Sequence, residues 1–236
     1  MISGISEYPN GTTHEWYSSQ GLFGRFQEIK TIIISEGIRI LGQDTFRSSS
    51  LENIQLPSTL ESIEFCTFQD SKLRHIDIPA NVTAIGSKTF CSCDNLKSIK
   101  LPDSIVSMGY SVFVYCHNLE EVVLPKNLKE IGRDTFSCCK KLSSVVIPEG
   151  CQRICEGAFN YCESLTDLRI PSSVTKIDEG TSIAIVAELF GWSNPDNPDP
   201  HTPGAFDNSG LKVIYCAIGS AAEKYAIKHG IQCKRL

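Results

Sequence analysis

Apolar residues recur along this chain in a frame of about 23 residues. Copies starting at Leu96, Leu119 and Leu142 follow the pattern L-x-x-I-x-L-P-x-x-L-x-x-I-G-x-x-x-F-x-x-C-x-x, with a few replacements. Two residue types mark the register, and every interval within each series is 22 or 23 residues. The series are Pro57, Pro79, Pro102, Pro125, Pro148 and Pro171, and Phe46, Phe68, Phe90, Phe113, Phe136 and Phe159. Two independent markers in one register over six copies establish an internal repeat.

Each copy predicts a short strand followed by two bends. The I-x-L portion, as at Ile99 and Leu101, alternates apolar and polar residues, which is typical of a strand. Proline ends this strand because it has no ladder donor. A recurrent glycine then supplies a second bend, since a residue without Cβ relaxes the backbone. It stands at Gly42, Gly86, Gly109 and Gly132. The F-x-x-C segment has room for a single helical turn.

A fixed period of 20 to 30 residues with this apolar frame is the signature of a leucine-rich-repeat solenoid. One coil cannot bury its own apolar side, so neighbouring coils stack and share one continuous core. The sequence therefore predicts an α/β solenoid with a right-handed coil, a parallel sheet with one strand per coil, and short convex turns. About eight coils would form one elongated domain, with the phenylalanines stacked in its interior.

The frame I-x-L-P-x-x-L-x-x-I-G-x-x-x-F-x-x-C resembles the BspA-like leucine-rich repeats of bacterial and protist proteins. The resemblance covers roughly residues 29 to 177 and resumes at Gly204. Ser35 departs from it at the first proline position, and Glu64 and Cys155 stand where other copies have glycine. The resemblance implies a surface or secreted protein with an adhesion role.

The ends of the chain and one internal segment depart from the frame. We expect an N-terminal cap over residues 1–28, repeats over 29–177, an insertion over 178–203, and a last coil with a C-terminal helical cap over 204–236. Ser220 and Glu223 have the spacing of a capping box, and Gly230 suits a left-handed helix stop. Insertions in repeat proteins often lie on the binding face, which draws attention to Phe190 and Trp192.

Charge and hydropathy exclude some partners. The net charge of −5 argues against nucleic acid, whose binders usually present a basic face. No apolar run approaches the ~20 residues needed to cross a bilayer, so membrane insertion is not expected. The N-terminus has neither a basic start nor an apolar stretch, so no signal peptide is recognised in this chain. We expect a monomer.

The eleven cysteines include a column of four at one repeat position. These are Cys93, Cys116, Cys139 and Cys162. Such a column is typical of small buried residues in a stacked core, where free cysteine behaves as a hydrophobe. Disulfides between neighbours in the column are possible but not implied, because adjacent coils lie about 4.8 Å apart, which is within the Cα distance that a disulfide spans. Equivalent positions point in parallel, which does not favour the converging ligands of a zinc site.

No arrangement of residues predicts catalysis. A Cys/His nucleophile pair needs contact and an orienting third group, and the five histidines stand at unrelated repeat positions. There is no glycine loop of the phosphate-binding type. We therefore expect no enzyme activity, no cofactor and no metal.

What remains is the outward surface of the predicted sheet, where strand residues form two rows from coil to coil. The first outer row is Thr31, Asn53, His75, Ser98, Glu121, Ser144 and Asp167, and the second outer row is Ile33, Gln55, Asp77, Lys100, Val123, Val146 and Arg169. The candidate binding residues are His75, Asp77, Lys100, Glu121, Val123, Val146, Arg169, Phe190 and Trp192.

The leading hypothesis is a non-catalytic module that holds a protein or a glycan on this face and on the insertion. One alternative is a structural spacer within a larger surface protein. Another is an enzyme with a site at residues 178–203. The family resemblance places the protein outside the cell or on its surface, whereas many unpaired thiols suit a reducing compartment or an anaerobic habitat.

Overall fold

Stacked coils with two strand positions each make up this computed structural model, which describes Phe23 and residues 26–180 and 204–236. The longer strands lie along one face, which we call the first sheet: β1 (Thr31–Ile33), β3 (Asn53–Gln55), β6 (Ser98–Lys100), β8 (Glu121–Val123), β10 (Ser144–Val146), β12 (Asp167–Arg169), β14 (Val213–Cys216) and β15 (Gln232–Arg235). Ladder pairing joins β1 to β3, β6 to β8 and β10, and β12 to β14 and β15, while the coil after β3 contributes an isolated bridge from Asn53 to His75. The shorter strands lie along a second face, which we call the second sheet: β2 (Ile40–Leu41), β4 (Ser62–Ile63), β5 (Ala84–Ile85), β7 (Ser107–Met108), β9 (Glu130–Ile131), β11 (Arg153–Ile154) and β13 (Lys176–Ile177). Ladder pairing joins β2, β4, β5 and β7 in one group and β9, β11 and β13 in another. All strand pairs are parallel, which confirms the predicted solenoid.

The second sheet corrects the expectation of one strand per coil. Its strands are only two residues long, too short for alternation to stand out in the sequence. Stacking nevertheless aligns them, so that Leu41 pairs with Ile63 and Ile63 with Ile85. These three side chains are buried, and they form a second aliphatic wall of the core.

The first sheet follows the predicted alternation. In β8, Val122 is buried while Glu121 and Val123 face outward. The strand ladder ends where predicted: the amide of Leu101 donates to Val123 O at 3.0 Å, and Pro102, which follows, has no amide to donate. The carbonyl of Pro102 then accepts from the amide of Ile105 at 3.1 Å and so closes a tight turn. Pro102 thus both ends β6 and starts the turn that leads to the second sheet.

The phenylalanines form one stacked column inside the solenoid, as predicted. From Phe46 to Phe206 the ring centroids of neighbouring coils lie 5.2–5.6 Å apart, and all these rings are buried. Phe23, which the sequence analysis assigned to the N-terminal cap, stacks on Phe46 at 4.9 Å. Phe206 stacks on Phe159, so the repeat resumes after the 181–203 segment at the position that the frame predicted.

The segment around each phenylalanine is a series of turns rather than the expected helical turn. Residues two positions before and after the ring adopt positive φ, as at Ser111 (56°) and Tyr115 (61°) around Phe113. The amides of these three residues donate to carbonyls of the next coil at 2.8–2.9 Å. A helix would direct those amides back along its own chain. The backbone therefore forms hydrogen bonds to the next coil instead of a local helix.

The recurrent glycine serves close packing, not the backbone freedom that the sequence analysis assigned to it. A Cβ at Gly86 would lie 2.5 Å from the carbonyl carbon of Glu64, and one at Gly109 would lie 2.4 Å from the amide nitrogen of Ser87. Neither glycine has a positive φ. At Gly86 and Gly109 the missing Cβ therefore lets one coil pack directly on the previous one.

The cysteine column is buried, as predicted, and its thiols also form hydrogen bonds. Cys116 Sγ donates to the carbonyl of Phe90 at 3.0 Å, and Cys93, Cys139 and Cys162 repeat this bond at 3.1 Å. In an earlier coil Ser71 occupies the same position. Burial raises the pKa of the Cys93 thiol to about 12, so the column is held in its neutral, donating form.

The C-terminal end carries α1 (Ala221–Lys228). Ser220 Oγ accepts from the amide of Glu223 at 3.1 Å, while the Glu223 carboxylate reaches back to the amide of Gly219 at 2.6 Å. Tyr225 packs edge-on against Phe206 with centroids 5.5 Å apart, so the helix covers the end of the aromatic column. Gly230 ends the helix with φ +67°. β15, which the sequence analysis did not predict, then adds a last rung to the first sheet.

Candidate functional site

The outward face of the first sheet carries the two predicted rows in register. β6, β8 and β10 pair so that Ser98, Glu121 and Ser144 are neighbours in the first outer row. In the second outer row Lys100, Val123 and Val146 are neighbours by the same pairing. Parallel strands lie about 4.8 Å apart, so neighbouring side chains in a row lie close to one another. The register expected from the repeat is confirmed over these three strands.

Two valines stand at the centre of this face. Val123 is 39% exposed and Val146 is 70% exposed, and they are direct partners across β8 and β10. We call this pair the valine patch. Ile33, at the far end of the same row, is 63% exposed. The prediction that these apolar side chains face solvent is confirmed, whereas their role in binding stays a prediction.

Charged residues border the valine patch. Lys100 lies on one side of it in the second outer row, and Glu121 lies beside it in the first. Within the described ranges, neither of these two forms an ion pair of 4.0 Å or less. Both charges are therefore directed to solvent beside the apolar pair.

Three other predicted binding residues, His75, Asp77 and Arg169, take part in ion pairs. His75 Nε2 lies 3.1 Å from Asp77 Oδ1 within one coil. Arg169 Nη2 lies 3.4 Å from Glu149 Oε1. The structure brings Lys100, Glu121 and the valine patch together. Arg169 follows Val146 in the second outer row, and its partner Glu149 lies in the coil of Val146, whereas His75 and Asp77 lie in an earlier coil.

Most of the other ion pairs among the described residues join one coil to the next. Lys126 Nζ lies 2.9 Å from Asp103 Oδ2, and Lys140 Nζ lies 3.2 Å from Glu163 Oε1. In both pairs the partners are separated by one repeat, and such exposed pairs contribute little to stability because water and salt screen them. The spacing of 23 residues was the sequence signal that could have revealed this arrangement.

Phe190 and Trp192 fall in the 181–203 segment, outside the described residues. Nothing in the structure bears on their contribution to a site.

A polar groove of about 390 Å³ opens on the second sheet, between β7 and β11. Its floor holds Arg153, whose Nη2 lies 2.6 Å from Oδ2 of the buried Asp178, and Lys176 Nζ lies 3.3 Å from the other oxygen. Burial on its own raises the pKa of Asp178, but hydrogen bonds from Arg153 and Lys176 outweigh it and hold the pKa below its usual value. The buried charge of Asp178 is therefore satisfied by Arg153 and Lys176.

Thiol chemistry in the core is suppressed by burial. Burial raises the pKa of Cys66 to about 12 and of Cys155 to about 11, which disfavours the reactive thiolate.

One histidine has an acidic neighbour that the sequence did not predict: His117 Nδ1 lies 2.8 Å from Asp94 Oδ1, one coil away. Over Phe23, 26–180 and 204–236, no cluster of three or more His, Cys, Asp or Glu side chains is arranged to hold a metal ion.

The same described part of the chain contains no helix long and apolar enough to span a bilayer.

The repeat architecture agrees with one family model. The model for the BspA type leucine-rich repeat region matches in six copies, over residues 18–143 and 61–182. The chain belongs to the BspA-type leucine-rich-repeat family. Comparison of this BspA-type protein with curated sequences finds no match.

Several solved bacterial structures resemble this BspA-type protein. A leucine-rich repeat protein from Bacteroides ovatus is 25% identical with a TM-score of 0.66, over 82% of this chain and 44% of that one. A leucine rich cell surface protein from Faecalibacterium prausnitzii is 26% identical with a TM-score of 0.44, over 87% and 64%. The leucine-rich repeat protein of T. pallidum is 30% identical with a TM-score of 0.47, over 48% and 53%. The chain thus spans less than two thirds of the length of each.

Proposed function

We propose that this BspA-type protein is a non-catalytic binding module that holds a partner protein on the outward face of its first sheet. The observation that carries the proposal is the valine patch, an exposed apolar pair bordered by Lys100 and Glu121. An apolar core with a polar, charged rim is the usual anatomy of a protein–protein interface.

A protein fits this face better than a glycan does. The two valine side chains supply no hydrogen-bond donor or acceptor, whereas a glycan offers mostly hydroxyl groups that need such partners. A partner segment with an aliphatic contact and an opposite charge for Lys100 or Glu121 would match both features of the site. Following the family resemblance, we place this interaction outside the cell or on its surface.

A binding panel tests the proposal. The protein is measured against immobilised extracellular-matrix proteins and against immobilised glycans. The doubly substituted variant Val123→Thr/Val146→Thr keeps side-chain shape and strand preference while it removes apolar surface. We expect the wild type to bind a protein ligand and the double variant to lose at least about tenfold in affinity, which corresponds to about 1.4 kcal/mol.

Val106→Thr is the matched control, because Val106 is 63% exposed but lies outside the first sheet. It should bind like the wild type. Equal loss in the control and the double variant, or no loss in either, would show that the valine patch is not the binding site. Capture by glycans alone would favour the glycan alternative, and no capture by either panel would favour a structural spacer.

A further inference from the structure

The last two rungs of the first sheet hold cysteines where earlier rungs hold aliphatic residues. Cys216 in β14 follows Ile170 in one inner column, and Cys233 in β15 follows Leu168 and Ile214 in the neighbouring one. From β1 to β12 these two columns contain only isoleucine, leucine and valine. Each of the two columns therefore ends in a cysteine, which departs from the aliphatic residues of the repeat.

The two side chains meet across the strands. In the β14–β15 ladder Ile214 pairs with Cys233 and Cys216 pairs with Arg235, so Cys216 and Cys233 are diagonal neighbours on the same face. Their sulfur atoms are 2.6 Å apart. Unbonded carbon atoms, which are smaller than sulfur, already rest at about 3.5–4.0 Å. In the inner cysteine column each thiol instead donates to a backbone carbonyl at 3.0–3.1 Å, whereas the carbonyl contact of Cys233, to Lys234, is 4.0 Å long.

We propose that Cys216 and Cys233 form an oxidation site, at which an intramolecular disulfide fastens the C-terminal end of the solenoid. The oxidant is a small-molecule disulfide. Cys233 is half-buried and Cys216 is buried, so the thiolate of Cys233 attacks first. This step forms a mixed disulfide and releases one small thiol.

Cys216 completes the reaction. Its thiolate attacks the sulfur of Cys233, forms the Cys216–Cys233 bond and releases the second small thiol. In total, two S–H bonds of the protein and one S–S bond of the oxidant are replaced by one S–S bond of the protein and two S–H bonds of the released thiols. Two electrons pass from the protein thiols to the oxidant.

The position of the bond gives it a capping role. It closes a loop that contains α1, and α1 packs against β13, β14 and β15. Tyr225 on this helix covers Phe206, the last ring of the aromatic column. Joining β14 to β15 would limit the opening of this loop and thus the exposure of the solenoid end.

Mass spectrometry of alkylated protein tests the assignment. The native wild type is incubated with oxidised glutathione, excess reagent is removed, and free thiols are alkylated after denaturation. The chain has eleven cysteines, so one disulfide should leave nine alkylated. Peptide mapping should recover a cross-linked pair that contains Cys216 and Cys233. Reduction of this species should lower Tm by about 5–10 °C, given the length of the loop.

Two variants complete the test. Cys233→Ser should retain ten free thiols after the same treatment, and its Tm should not respond to reductant. Cys138→Ser is the control, because Cys138 is also half-buried but lies in a turn beside Phe136; it should still form the cross-link. Eleven alkylated cysteines in oxidant-treated wild type, or a cross-link between other residues, would overturn the assignment. A confirmed cross-link without any change in Tm would overturn the capping role.

Discussion

The inner columns and the outer rows of this solenoid arise from the same repeat, yet they differ in how much the repeat dictates. The aromatic column holds a phenylalanine in every described coil from Phe23 to Phe206. One outer position, by contrast, holds Ile33, Asp77, Lys100 and Val146 in different coils. Inside, each ring must fit between two others at close-packed distance, whereas outside a side chain meets mainly solvent. Binding surfaces can therefore change on this scaffold without changing the scaffold.

The largest expected effect comes from breaking an inner column. Phe113→Ala removes a fully buried ring that stacks on both neighbours, and we expect a loss of about 3–5 kcal/mol in the free energy of unfolding. Val146→Thr on the outer row should change it by no more than about 0.5 kcal/mol. Urea denaturation monitored by circular dichroism measures both. Comparable losses in the two variants would contradict the distinction between columns and rows.

The inner columns were the part of the fold most open to prediction. Burial of Phe113, Cys116 and Val122 follows from one frame that repeats with a fixed period, because stacking turns a sequence period into a spatial column. Phe23 stands 23 residues before Phe46, so the same period carried the signal for its stacking. The residues around Phe23 do not match the frame, and this hid the signal.

Other features of the fold have no sequence period to reveal them. The second sheet consists of two-residue strands, whose pairing depends on the coils being stacked first. β15 is polar at three of its four positions and follows a helix, so nothing in Gln232–Arg235 predicted a strand. The thiol–carbonyl bonds of the cysteine column depend on the rotamer and on the carbonyl of another coil. These are consequences of tertiary packing.

The second effect, of intermediate size, concerns the glycine column. Gly109→Ala places a Cβ 2.4 Å from backbone of the previous coil, so that coil must shift, and we expect a loss of about 1–3 kcal/mol. Gly150→Ala is the matched substitution, because its nearest neighbours lie 3.5 Å away and its φ is not positive. It should be neutral or slightly stabilising. Thermal unfolding of both variants measures this, and equal Tm values would refute the close-packing role of Gly109.

Of the candidate site, the sequence predicted the positions but not the partners. The outer rows, their register and the exposure of Val123 and Val146 follow from alternation along the strand. The ion pair of Arg169 with Glu149 depends on the path of the turn after β10, which the frame does not specify. The identity of the binding partner depends on the outer side chains, which the repeat does not specify.

The smallest expected effect is a change in how the free energy of unfolding depends on pH, and it concerns the buried carboxylate of Asp178. Asp178 is buried beside Arg153, and its pKa lies below the ordinary value of 3.8. A carboxylate with a lowered pKa in the folded state adds stability that is fully present above 3.8 and is lost as the pH falls through the lower, folded-state value. Asp178→Asn should therefore lower the free energy of unfolding near pH 7 and reduce its decline below about pH 4.

Asp103→Asn is the matched comparison, because Lys126 also lowers the pKa of Asp103, but that pair is exposed at both ends. Solvent and salt screen an exposed pair, so this variant should keep the acid-side slope of the wild type. Urea midpoints measured from pH 2.5 to pH 7 for the three proteins separate the two cases. If Asp103→Asn flattened the slope as much as Asp178→Asn does, burial would not be the reason that Asp178 matters, and the coil-to-coil ion pairs would act alike wherever they lie.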